Sequence, residues 1–533
     1  MTDFRMTALT NTWAVPLVLA LALGLGGCAH TPAPDGPSQA LPAAQSSFGR
    51  SIMAQAAPHE GRSGFRLLPN STEAFMARAE LIRNAKTSLD LQYYIVHDGL
   101  STRALVDELL KAADRGVRVR ILLDDTTSDG LDEVIATLAA HPNIQIRLFN
   151  PLNLGRSMGA TRNLGRLFNL SQQHRRMHNK LWLADSAVAI VGGRNLGDEY
   201  FDAEPNLNFT DIDMLSVGPV AEQLGHSFDQ YWNSTLSKPI DDFLYWPPDR
   251  KDLAKARTLL AKSLAQAHVE KKALYERLMA YRTQPRMKTW LNELIWAHNQ
   301  ALWDAPTKVL SRGEPDPHLL LTTQLSPDLA NVHQELTLIS AYFVPGQEGL
   351  VYLTGLSDKG VSVSLLTNSL EATDVPAVHG GYAPYRRALL EHGVKLFELR
   401  RQPGDPSNAG SGPKFLRTSL IKGGSESSLH SKAMIFDRQK MFVGSFNFDP
   451  RSVLWNTEVG VLVDSPELTE YLRDLALQGM APAISYQVKL ENDRLVWVTE
   501  DNGKIHTLSR EPGDWWRRMN AWFSSAVGLE KML

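Results

Sequence analysis

Cysteine is almost absent from this chain: 533 residues carry one, Cys28, which excludes an intramolecular disulfide and a thiolate-held zinc site. An excess of charge of either sign is also missing. With 55 basic and 58 acidic residues the net charge is −3, so no global field draws the chain to nucleic acid or to anionic membranes. Phosphate binding, if any, has to come from local clusters. The N-terminal apolar run, about residues 13–25, is too short to span a bilayer comfortably. What the chain does have is an ordinary 43% of hydrophobic residues, over a length that suits two or three domains each burying a full core.

The N-terminus has its own pattern. Arg5, the apolar run and then Leu25-Gly26-Gly27-Cys28 resemble a bacterial lipoprotein signal, with small residues where a signal peptidase needs them. On this reading residues 1–28 hold the signal, Cys28 is the acylated first residue, and several acyl chains anchor the protein stably. The plainer alternative is an uncleaved anchor with an incidental cysteine. Ala29 follows, not the aspartate that resembles an inner-membrane retention signal. The expectation is therefore a periplasm-facing lipoprotein of a bacterial cell envelope, with the outer membrane favoured over the inner. Residues 29–64, beginning rich in Pro, Ala, Ser and Gln, read as a flexible tether.

Beyond it the chain repeats itself. A β-branched run over 88–95, a helical stretch over 104–114 and a strand pattern over 117–123 recur as 335–343, a helical stretch to Gly360, and 361–367. Third strands are expected at 144–149 and 394–399. Duplication on this scale predicts two similar α/β layers about a pseudo-twofold axis. We place the halves at 65–240 and 311–482, with a helical insert at 241–310 and a C-terminal hairpin plus amphipathic helix at 483–533.

Each half closes on the same polar signature. His178, Lys180, Asp185, Gly192 and Asn195 have the same spacing as His430, Lys432, Asp437, Gly444 and Asn447. In a strand, histidine and a lysine two residues on share one face, so both can enter one site. Breaking a phosphodiester takes a nucleophile, a proton donor for the leaving alkoxide, and cations or donors around the phosphoryl oxygens. Two histidines, two lysines and two asparagines supply that inventory without a metal or cofactor. One such histidine alone would read as a satisfied core imidazole; the matched pair does not.

These residues resemble the paired HxKxxxxD motifs of the phospholipase D superfamily, over nearly all of the chain from about residue 65. The resemblance implies an α/β fold: two phospholipase D-like α/β sandwich halves in one chain, pseudo-twofold related and sharing an active site. It implies that one histidine attacks phosphorus to form a phosphohistidine while the other protonates the leaving group; we assign His178 and His430 respectively, although pseudosymmetry leaves the reverse open. Lys180, Lys432, Asn195 and Asn447 would clamp phosphate oxygens. Asp211 and Glu458 would orient the imidazoles, with Asp213 as an alternative to Asp211. The motif counts Asp185 and Asp437 with the catalytic set, yet they look like braces of strand and turn, or plain surface-turn residues.

Further stretches, Leu91-Gln92-Tyr93-Tyr94-Ile95, Val443-Gly444-Ser445-Phe446-Asn447 and Val378-His379-Gly380-Gly381-Tyr382 among them, are similar to the bacterial cardiolipin synthase C group. That implies phospholipid substrates and transfer of a phosphatidyl group to phosphatidylglycerol. A hydrolase or a nuclease on the same fold, or an idle lipid-binding protein, are the rivals; no nucleic-acid partner is expected, and whether a partner protein exists is open. Trp515, Trp516, Met519, Trp522, Phe523 and Val527, with Arg517, Arg518 and Lys531 nearby, form a stripe suited either to a membrane interface or to the protein's own core. Arg156, Arg162, Arg166, Arg175 and Arg176 could attract headgroups or form a solvated loop.

Overall fold

The computed structural model describes residues 38–125, 132–151, 174–244, 246–401 and 426–526. The expected signal with Cys28, the start of the tether, and Arg156, Arg162, Arg166, Val527, Lys531 and the Phe523 side chain lie outside the described residues.

Strands of the first half are Ser63–Leu68 (β1), Ser88–Tyr93 (β2), Arg118–Asp124 (β3), Ile144–Phe149 (β4), Leu181–Ala184 (β5), Val188–Gly192 (β6), Leu207–Thr210 (β7), Asp213–Val217 (β8) and Ser237–Pro239 (β9). They pair in the order β9-β4-β3-β2-β5-β6-β8-β1, with β2, β3 and β4 parallel and the rest antiparallel. After Ile295–Trp303 (β10) the second half repeats the scheme with Glu335–Ser340 (β11), Ser362–Asn368 (β12), Lys395–Leu399 (β13), Glu426–Leu429 (β14), Lys432–Phe436 (β15), Lys440–Gly444 (β16), Val459–Asp464 (β17) and Ser485–Glu491 (β18). Its order is β18-β13-β12-β11-β15-β16-β17-β10, the parallel trio being β11, β12 and β13. The expected duplication is present strand for strand.

Period-two alternation explains how the halves meet. In β5 and β6, Leu181, Leu183, Ala189 and Val191 face a central core while Trp182, Ala184, Val188 and Ile190 face an outer one under helices. In β15 and β16, Ala433, Ile435, Met441 and Val443 join that same central core, and Met434, Phe436 and Phe442 point away from it. The two sheets thus pack face to face, and strands buried on both faces read as unbroken apolar runs.

Two boundaries differ from the sequence reading. Residues 250–292 are largely helical, but the expected insert ends there, because β10 pairs antiparallel with β1 from Ile295 to Ala297 and with β17 from His298 to Trp303. It is the second half's counterpart of β1 and ties the sheets together. The tether, too, is folded from residue 38 onward: the Ser38 and Ala40 amides donate to Asn233 Oδ1 (2.9 Å) and Asp229 Oδ2 (2.8 Å), and Ser47–Ala56 is a helix capped by Ser46 that buries Ile52.

At the C-terminus, β18 continues into the antiparallel strands Arg494–Asp501 (β19) and Lys504–Leu508 (β20), then into a helix, Trp515–Ala526. The helix backbone at Ala521 lies so close to Gly380 that a Cβ there would fall 2.2 Å from the Ala521 carbonyl oxygen. Glu511, just before the helix, bonds to Arg386 (2.5 Å) and His379 (2.6 Å), and Arg386 also bonds to Glu398 (2.7 Å). A guanidinium therefore fills the one grouping of histidine and carboxylates among the described residues that could otherwise hold a metal ion.

Asp185 and Asp437 occupy matching turns. Each stands with its follower at positive φ (52° and 51°; 52° and 57°), as a type I′ hairpin turn requires. The Asp185 carboxylate accepts from the backbone N–H of Lys86, Thr87 and Ser88, each at 2.9 Å, and Asp437 does the same for His333, Gln334 and Glu335 at 2.7–2.9 Å. They sit at the far end of β5 and β15 from the histidines, so the motif's aspartates belong to the brace and not to the catalytic set. We predict that Asp185→Ala costs about 3 kcal/mol, because the amides it satisfies are left without acceptors. A thermal unfolding midpoint equal to that of the wild type would show that the turn holds without it.

Candidate active site

The site lies where the halves exchange backbone hydrogen bonds. Parallel pairing of β7 with β14 carries the first half's Thr210-Asp211 to His430, whose N–H donates to Thr210 O (2.8 Å). On the other side an isolated bridge between Met177 and Thr457 lets the His178 N–H donate to Thr457 O (2.9 Å). Each histidine is thus bound to the residue just before a carboxylate of the opposite half.

The side chains follow this crossing. His178 Nδ1 lies 2.9 Å and 3.1 Å from the Glu458 oxygens, and His430 Nδ1 lies 2.7 Å from Asp211 Oδ2. The two carboxylates singled out in the sequence, Asp211 and Glu458, do meet the imidazoles, and each contacts the histidine of the other half, which the sequence does not reveal. With Nδ1–H held by a carboxylate, the second ring nitrogen, Nε2, is left with a free lone pair. Asp213 does not reach an imidazole, being buried between Arg78 (2.9 Å) and Arg194 (3.2 Å).

Around the imidazoles the groups are cationic and aromatic. Lys180 Nζ donates to His178 O (2.6 Å) and lies 5.3 Å from the Tyr94 ring centre; Lys432 Nζ donates to His430 O and lies 6.0 Å from the Tyr342 ring. Asn195 Oδ1 accepts from Ile95 N (3.2 Å) and its Nδ2 donates to the Tyr200 hydroxyl (2.9 Å), while Asn447 Oδ1 lies 3.4 Å from Tyr342 N. All six motif side chains are buried. Burial, then Lys180 and Lys432, push both imidazoles well below the ordinary histidine range. Burial also pushes Lys180 and Lys432 down and Asp211 up, and raises Glu458 to about 7. Burial thus disfavours charge of either sign at this centre, on the carboxylates as on the cations.

Several supporting residues carried no signal in the sequence. Glu458 accepts from Ser445 Oγ (2.5 Å) and Ser452 Oγ (2.8 Å), and its backbone N–H donates to Asp304 Oδ2 (2.8 Å). Asp304 is paired in turn with Lys308 (3.0 Å), which also donates to Ser452 O (2.8 Å). Spacing does not mark the two serines, because Gly193 and Tyr200 stand at the matching offsets of the first half, and Asp304 and Lys308 lie far from the repeated signature. Arg176, which the sequence grouped with basic residues that could attract headgroups, is instead buried against Asp124 (2.7 Å). Asp124 also accepts from Met177 N (2.9 Å), so this pair fixes the strand entering His178.

Comparison with known proteins agrees with this architecture. The model of the family "Cardiolipin synthase, PLD-like domain" matches twice, at residues 79–232 and 325–477. Cardiolipin synthase C of Escherichia coli (strain K12) is 37% identical over 486 residues, 89% of this chain and 97% of that protein. Cardiolipin synthase B of the same strain is 26% identical, over 79% of this chain and 81% of its own. Among solved structures, phosphatidylserine synthase of Haemophilus influenzae Rd KW20 shares the fold, with a TM-score of 0.55 at 13% identity over 91% of this chain and all of that one. Two copies of the domain, one in each half and each bringing its histidine to a shared centre, make this chain a member of the phospholipase D-like cardiolipin synthase family.

Proposed function

We propose that this enzyme joins two phospholipids into cardiolipin, with phosphatidylglycerol as acceptor. The observation that carries the reading is the pair of crossed histidine–carboxylate contacts between lysines. His178 Nε2 attacks the phosphorus of the first phospholipid; the P–O bond to its headgroup breaks, and His430 gives that alkoxide its proton. The glycerol hydroxyl of phosphatidylglycerol then replaces the headgroup, gives its proton to His430 and attacks phosphorus, releasing His178 and forming the new phosphodiester. Lys180, Lys432, Asn195 and Asn447 hold the phosphoryl oxygens through both steps. Water in place of the lipid alcohol would give phosphatidic acid.

Lipid substrates call for contact with a bilayer, and we assign this to the C-terminal helix. Trp515 and Trp522 are 68% and 67% exposed, Trp516 and Met519 are exposed beside them, and Ala521 packs inward, so these four side chains are free to meet a bilayer. Arg517 donates to Thr373 O (2.6 Å), which ties the helix to the loop that brings Asp374 to Tyr342 at the site. We further propose that Cys28 is acylated and anchors the chain in the envelope of its bacterium, facing the periplasm.

The test is product analysis with purified protein in vesicles. With phosphatidylglycerol as the lipid, cardiolipin and free glycerol are expected to exceed phosphatidic acid. Phosphatidic acid as the main product at every lipid composition would make the protein a hydrolase. Trp515→Ala with Trp522→Ala should lower turnover on vesicles while leaving turnover of a short-chain soluble phospholipid unchanged; equal loss on both would show that the helix does not serve the bilayer.

A further inference from the structure

Tyr200 stands at the same distance in sequence from His178 as Ser452 does from His430, yet the two side chains go to different partners. The Ser452 hydroxyl turns to Glu458 Oε1 (2.8 Å). The Tyr200 hydroxyl instead accepts from Asn195 Nδ2 (2.9 Å), while its ring meets that of His430 edge-on, with centres 5.3 Å apart, and packs on Phe209 at 5.0 Å. One buried side chain thus joins the asparagine of the first half to the histidine of the second. Its backbone is fixed as well. Tyr200 closes the single helical turn Asp198–Tyr200, which the Asp198 carboxylate pins by accepting from the N–H of Leu100 (3.0 Å) and Ser101 (2.8 Å).

The two motif asparagines are therefore held unequally. Both accept through Oδ1 from equivalent backbone amides, those of Ile95 (3.2 Å) and Tyr342 (3.4 Å), which stand equally far beyond Ser88 and Glu335, residues held by the brace aspartates. Asn195 is held at its nitrogen too, by Tyr200. Ser452, engaged with Glu458, meets Asn447 only at the backbone N–H (3.3 Å). A carboxamide fixed at both ends has one orientation: one N–H of Asn195 is spent on the phenol oxygen, and the second is left to donate.

We propose that Tyr200 is a positioning residue, which fixes the carboxamide of Asn195 so that its second N–H is preset for a phosphoryl oxygen. The inference rests on the phosphoryl-transfer reading above, in which Asn195 holds that oxygen. A donor fixed beforehand meets the charge that develops in the transition state without reorganising, whereas a loose one has to be ordered first. The Tyr200 hydroxyl therefore acts on kcat more than on KM. Its ring is a separate matter, because the packing on His430 and Phe209 survives removal of the hydroxyl alone.

The experiment is a double-mutant cycle of Tyr200→Phe and Asn195→Ala, with kcat and KM measured in vesicles of phosphatidylglycerol. Tyr200→Phe keeps the ring and should lower kcat roughly five- to tenfold, the worth of one neutral hydrogen bond, with KM little changed. Asn195→Ala should lower kcat about a hundredfold, as loss of one donor to a developing oxyanion does. In the Asn195→Ala background Tyr200→Phe should then cost less than about twofold, because the hydroxyl has no carboxamide left to hold. A tyrosine that only supports the fold would give losses that multiply. Wild-type kcat in Tyr200→Phe, or full multiplication of the two losses, would overturn the proposal. Scoring products in the same assay separates the two readings, because losses that do not multiply, with phosphatidic acid as product, would refute only the synthase reading, and multiplying losses with cardiolipin as product would refute only the role of Tyr200.

Discussion

Replacing either His178 or His430 by alanine is expected to lower product formation at least about a thousandfold, and replacing both should cost little more than replacing one. The two imidazoles act on one phosphorus atom, so removing the nucleophile leaves the acid with nothing to do, and removing the acid leaves an alkoxide that cannot depart. Each ring stands in a shared, buried centre. The comparison of single with double variants reads this directly. Independent, multiplying losses would mean that the halves work as separate sites, and a single variant with near wild-type turnover would remove its histidine from the chemistry.

Glu458→Gln is expected to lower kcat by about 10²–10⁴-fold with KM little changed, and Asp211→Asn should act similarly. A carboxylate fixes the imidazole tautomer by accepting Nδ1–H and stabilises positive charge on the ring; an amide of the same shape accepts less strongly and can turn its NH₂ towards the ring instead. Glu458 holds Ser445 Oγ and Ser452 Oγ as well, so the glutamine variant tests the charge while keeping the volume. Because Glu458 serves His178 across the interface, this substitution in the second half should disable the histidine of the first. Retained kcat with raised KM would instead make Glu458 a binding residue.

Much of this was legible in the chain. The repeated interval from His to Lys, Asp, Gly and Asn located both β5 and β15 with their turns, because a duplicated strand–turn–strand keeps its spacing when its packing is kept. The crossed pairing was not legible. It depends on β7 meeting β14 and on Met177 meeting Thr457, contacts between segments more than two hundred residues apart that no local pattern encodes. β10 was hidden for a different reason: Ile295–Trp303 follows a long helical stretch and pairs with both sheets, so its burial does not alternate as an edge strand's would. The segment from Ser38 looked like a tether because it docks through its own backbone amides, to which composition is blind. Asp185 and Asp437 show the converse: fixed spacing marked them, and their matching positions reflect three amides to be satisfied, not a substrate.

The shared centre, with His178 as its nucleophile, is tested most directly by trapping the intermediate. Protein turning over a phospholipid with a labelled phosphate is quenched under conditions that preserve phosphohistidine, digested, and its peptides are weighed. A phosphatidyl adduct is expected on the peptide containing His178 and none on the peptide containing His430, with loss of the label when phosphatidylglycerol is added in excess before the quench. An adduct on neither histidine, in protein that is making product, would contradict the shared two-histidine centre.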